Sequence, residues 1–132
     1  MFRQRHSPAI ALMLALLSSV SAAATVENLT GLPVYPYLNR ATMDGVVRTD
    51  TLGRWCRHFS AETSTPLETV EAWYRGAMVG ASETDLTHDA TYRNYTALAG
   101  IKLGLGVDYV NVYKVTDRAP TSIELFRCSP VT

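Results

Sequence analysis

Long hydrophobic runs are nearly absent from this chain. The one clear case, Ala9 to Val20, has about 12 residues, whereas a membrane-spanning helix needs ~20. A basic excess is also missing: Lys and Arg number 12, and so do Asp and Glu. Without a basic field there is nothing to draw in a phosphate backbone, so nucleic acid is excluded as an expected partner. The motifs of common chemistries are absent too. There is no G-x-S-x-G elbow for a nucleophilic serine, no H-E-x-x-H zinc helix and no G-x-G-x-x-G phosphate loop. No cofactor is expected.

The short apolar run has a context. Arg3 and Arg5 precede it, and Ser21-Ala22-Ala23-Ala24 follows. A basic opening, a short apolar stretch and small residues in that order predict a signal peptide over residues 1–24. The remaining chain is expected to be exported, periplasmic or secreted, with cleavage near Ala24. It carries 10 basic against 12 acidic residues once Arg3 and Arg5 are removed. Residues 25–40, broken by Gly31, Pro33 and Pro36, predict an irregular segment. Residues 41–132 suit a single domain.

Cysteine is scarce, with only Cys56 and Cys128. In an exported domain two cysteines usually pair, so a disulfide is expected between them. Their separation is unlike a C-x-x-C redox motif.

The periodicities predict an α+β fold: a four- or five-stranded antiparallel sheet with one helix packed on one face. Thr65-Pro66-Leu67-Glu68 reads as a helix start, with Thr65 as cap, Pro66 at the first position and Glu68 closing a capping box. Leu67, Val70, Tyr74 and Ala77 then recur at helical spacing, and the helix should run to about Met78. Strands are expected at Val46–Thr49, Arg54–Ser60, Ile101–Leu105, Tyr109–Val115 and Thr121–Cys128. Residues 82–97 have room for one irregular strand. In the second of these strands Trp55, Arg57 and Phe59 share one face, and Cys56 and His58 the other.

Leu32-Pro33-Val34-Tyr35-Pro36, the Thr65 to Tyr74 helix segment and the closing Thr121-Ser122-Ile123-Glu124-Leu125 occur in that order. The chain resembles a loose group of small exported bacterial α+β domains with a YPG-like opening and a TP-x-E-x-V-x-x-WY helix. The resemblance covers residues 31–128 and rests on turn and packing motifs, so it implies a fold and an exported location but no activity. Here Pro36 is followed by Tyr37 rather than Gly.

Candidate chemistry is sparse. Metal binding needs three or four converging ligands; Asp85 and His88 with His58 or Glu62 would be the candidates. Acid–base work would draw on Glu62, Glu83, Asp85 and Asp89. A small envelope hydrolase or metal-dependent enzyme would therefore use His58, Asp85, His88 and Asp89. The aromatics favour another reading. Tyr35, Tyr37, Tyr92 and Tyr95 fall in irregular segments, with Arg93 among them, a mix suited to a binding surface. The leading expectation is a non-enzymatic binding or accessory module of the cell envelope that holds a protein or a cell-wall ligand. The sequence leaves its oligomeric state open.

Overall fold

A computed structural model describes residues 28–48, 53–88 and 97–129. The expected signal peptide lies outside the described residues. The elements are β1 (Arg40–Arg48), β2 (Trp55–Thr63), α1 (Leu67–Ala77), β3 (Ser82–Asp85), β4 (Ala99–Leu105), β5 (Asp108–Lys114) and β6 (Thr121–Cys128). The strands form one antiparallel sheet in the order β1-β2-β6-β5-β4-β3. Among the described residues no helix is long and apolar enough to cross a membrane.

Among the described residues the α+β class, one long helix and the antiparallel sheet are as expected, but the sheet has six strands, not four or five. The difference lies at the edges. β3 is the polar stretch Ser82-Glu83-Thr84-Asp85, exposed throughout, and so shows no apolar alternation. β1 is nine residues long rather than a short piece near Val46, because its first half is also largely polar.

The helix packs on β4 and β5. Leu67, Val70 and Tyr74 supply its buried face, which meets Ile101, Leu103, Val110, Val112 and Leu125. Full burial of each such side chain contributes roughly 1.5–3 kcal/mol. Tyr35 and Leu38, from the irregular segment before β1, complete the core.

The helix does not start as the sequence suggested. Pro66 is the N-cap, and no side chain caps the helix. The Pro66 carbonyl accepts from the amides of Thr69 and Val70. Thr65 is occupied elsewhere: its hydroxyl accepts from Tyr35 Oη at 3.3 Å and lies 3.1 Å from the Thr63 hydroxyl. Thr63 meanwhile reaches the Tyr37 carbonyl at 2.6 Å. The threonines thus tie the irregular segment to the end of β2 instead of closing a capping box.

Tyr74 is fully buried, and its hydroxyl donates to the Pro33 carbonyl while accepting from the Tyr35 amide. Burial pushes its ionisation well above the usual tyrosine range, outweighing the opposing effect of the Tyr35 amide. An unfolded tyrosine ionises near pH ~10. Below that value the group contributes no pH dependence. Above it the unfolded chain sheds a proton that the folded chain keeps. Stability should then fall by up to about 1.4 kcal/mol per pH unit. Urea midpoints at pH 9 and pH 11 should show this loss, and Tyr74→Phe should have a shallower alkaline decline. Equal declines in both proteins would contradict the assignment.

Candidate functional site

The two faces of the sheet differ, and the difference follows from the register of β2 against β6. Cys56 is opposite Cys128, Arg57 opposite Arg127 and His58 opposite Phe126. The cysteines are bonded to each other. Side chains alternate along a strand, so Cys56 and His58 project to one face while Arg57 and Phe59 project to the other.

On the cysteine face, His58 is buried in a polar cluster. Its Nδ1 lies 2.8 Å from Asp44 Oδ2 and its Nε2 2.7 Å from Glu124 Oε2. Tyr113 donates to the other Glu124 oxygen at 2.8 Å, and Ser60 donates to Asp44 at 3.3 Å. The Phe126 ring stacks on His58, with centroids 4.4 Å apart, and Tyr109 stacks on Phe126 at 4.5 Å. Asp44 reaches the ring because β1 is bulged: Met43 pairs with Phe59 and Gly45 with His58, leaving Asp44 as the extra residue. Gly45 has φ +78°, a conformation that glycine adopts without the usual steric cost.

A cavity of about 190 Å³ borders this cluster. Its chemistry is nevertheless limited. Carboxylate oxygens of Asp44 and Glu124 face the two ring nitrogens, so both edges of the ring are engaged within the cluster. Asp44 and Glu124 stand at opposite edges of the ring and do not converge on one point. Among the described residues, no three of His, Cys, Asp and Glu are placed to hold a metal ion.

The acidic candidates are scattered. Asp85 lies on the far edge strand, four strand spacings from β2, or roughly 19 Å at ~4.8 Å per spacing. It accepts from the amide and hydroxyl of Thr87. Glu83 forms a two-pronged pair with Arg75, at 2.7 and 3.1 Å. That guanidinium holds the Glu83 carboxyl below its usual range. Both partners are exposed, so the pair contributes little to stability. Asp89 and the side chain of His88 lie outside the described residues.

Of the aromatic candidates, Tyr35 is 4% exposed and belongs to the core, which corrects its reading as a surface residue. Its hydroxyl and ring are engaged by Thr65 and Trp73. Tyr37 is 66% exposed, with its ring edge-on to Tyr35. Tyr92, Arg93 and Tyr95 lie outside the described residues.

The opposite face holds a second place of interest, which the sequence reading did not single out. The helix, with Tyr35 and Leu38, packs in one core cluster with Phe59 and Leu125, a cluster that does not include Arg57 or Arg127. At these two arginines a groove of about 600 Å³ lies open, lined by Leu29, Val46, Trp55, Arg57, Arg127 and neighbouring residues. Trp55, Val46 and Leu29 are 57%, 60% and 48% exposed. In register, Val46, Arg57 and Arg127 stand in a row across β1, β2 and β6.

A turn at Asn28–Gly31 positions both arginines. Asn28 accepts from the amide of Thr30 and donates to the Leu32 carbonyl, which shapes the turn. The Leu29 carbonyl then accepts from Arg57 Nη1 at 3.2 Å, and the Thr30 carbonyl from Arg127 Nη1 at 3.3 Å. Gly31, with φ +73°, brings the backbone so close that an added Cβ would sit 3.0 Å from Arg127 Nη1. Each guanidinium keeps further N–H groups free of these carbonyls.

Searches against protein-family models, curated proteins and solved structures match nothing to this chain. Any functional reading therefore rests on the geometry above.

Proposed function

We propose that this protein is an exported binding module of the cell envelope, and that it holds its ligand in the Trp55–Arg57–Arg127 groove. The observation that carries the reading is the groove's composition. A tryptophan, two aliphatic side chains and two positioned arginines lie exposed together at one sheet end. Tryptophan and arginine are the residues most often found to dominate binding energy. The volume falls within the ~300–1,000 Å³ of ordinary ligand sites.

Export is supported by the disulfide and by the leader-like residues 1–24.

The test uses the two tryptophans. Trp73→Phe leaves Trp55 as the sole indole emitter. The purified exported protein is titrated with peptide and cell-wall fragments of the envelope. The expected result is a saturable change in Trp55 emission with one fragment class, weakened at least tenfold by Arg57→Gln and unaltered by Tyr37→Ala. Saturable binding indifferent to Arg57 and Arg127 would move the site elsewhere and overturn the groove reading.

A further inference from the structure

The groove contains a charge arrangement that the sheet alone does not favour. Arg57 and Arg127 are direct cross-strand partners. Such pairs have Cβ atoms ~4.5–5.5 Å apart, and like charges in that position destabilise a sheet. The usual remedy is an interleaved carboxylate. Among the described residues the carboxylate nearest Arg127 is Asp108, whose Oδ2 lies 3.8 Å from Nε while its Oδ1 accepts from the Cys128 amide at 2.9 Å. Arg57 has no carboxylate partner among the described residues. Two guanidinium cations and one carboxylate leave the groove floor with a net positive charge.

Resting on the groove reading above, we infer that this floor is an anion subsite, and that its ligand is the free C-terminal carboxylate of a peptide ending in an apolar residue. The carboxylate follows from the forks: paired N–H groups of arginine match its two oxygens. The backbone carbonyls of Leu29 and Thr30 hold one nitrogen of each fork, so little ordering remains to be done on binding.

The apolar terminal residue follows from the neighbours. Val46 stands beside Arg57 in register, and Trp55 and Leu29 border the same groove. In an extended peptide, an internal acidic side chain and the apolar one next to it point to opposite sides. A terminal carboxylate and its own residue's side chain share one Cα, so both can enter one groove. Free phosphate would match the guanidinium forks and leave the apolar wall bare.

The experiment titrates the exported protein with N-acetylated tetrapeptides ending in Leu, Phe or Val. Each is supplied as the free acid and as the C-terminal amide, with inorganic phosphate as a third arm. Trp55 emission in the Trp73→Phe background and the arginine Nε–H resonances are the readouts. The free acids should bind saturably and the amides at least tenfold more weakly. Arg57→Gln and Arg127→Gln should each remove most of that preference. Arg57→Lys, which keeps the charge but loses the fork, should retain only part of it. Unchanged backbone amide spectra show that each variant remains folded.

Equal binding of acid and amide would overturn the anion subsite while leaving the groove reading in place. Phosphate binding as tight as the free acids would overturn the peptide terminus in favour of a bare anion. A Trp55 response to other envelope fragments but to none of these peptides would overturn this inference alone. No response to any fragment would overturn both.

Discussion

Replacing Cys56 and Cys128 with serine lowers the stability of the folded chain by about 2–5 kcal/mol. The bridge closes a sequence separation of 72 residues, for which the chain-entropy model gives about 4 kcal/mol. Set against a typical domain stability of ~5–15 kcal/mol, that is a large share. The bridge also acts locally. It joins the residues immediately before Arg57 and after Arg127, at the sheet end where the groove lies open. Its loss should therefore weaken ligand binding even in molecules that remain folded. Urea denaturation of the oxidised protein and the double serine variant checks the first effect. A shared midpoint would contradict it.

Glu124→Ala should cost about 2–4 kcal/mol, because it leaves two buried polar groups without the oxygen they bond. The substitution strips His58 Nε2 of its acceptor and leaves the Tyr113 hydroxyl without that oxygen. Both groups are buried, at 2% and 6% exposure, so water cannot readily replace the carboxylate. Asp44→Ala should cost less, because the Asp44 side chain is 37% exposed and water can take its place at the ring. Groove binding per folded molecule should not change in either variant, since the cluster lies on the other face of the sheet. A Glu124→Ala protein as stable as the parent would mean that the cluster does not hold β1 and the sheet together. His58 would then return as a candidate for chemistry.

Much of the fold could be read from local signals. The helix showed its apolar spacing, and β4, β5 and β6 carried strong β-formers between turn residues. Less legible were the edges, where the sequence offered only a short piece at Val46–Thr49 and room for one irregular strand within residues 82–97. Ser82 to Asp85 makes a strand because its backbone pairs with β4, and nothing in four exposed polar side chains announces that. Thr65 looked like a cap because spacing alone cannot show that its hydroxyl is engaged by Tyr35, thirty residues earlier in the chain.

The sites were hidden for a related reason. Glu124 and Asp44 meet His58 only once register and bulge are known. The register was within reach. A direct cross-strand disulfide between Cys56 and Cys128 makes Arg57 face Arg127 and His58 face Phe126 by antiparallel counting alone. The bulge at Asp44 was not: it depends on a one-residue slip between Met43 and Gly45 that periodicity does not register. Nor was the turn at Asn28–Gly31, whose carbonyls reach arginines 28 and 97 positions away.

The most direct test of the groove as the binding site is site-specific photocrosslinking in cells that produce the protein. One photoreactive residue replaces Val46 at the groove rim, and another replaces Val79, which is 83% exposed in the turn after the helix. The account predicts one discrete adduct from position 46, lost on adding Arg57→Gln and Arg127→Gln, and none from position 79. Adducts of equal yield from both positions, or a position-46 adduct indifferent to the arginines, would contradict it.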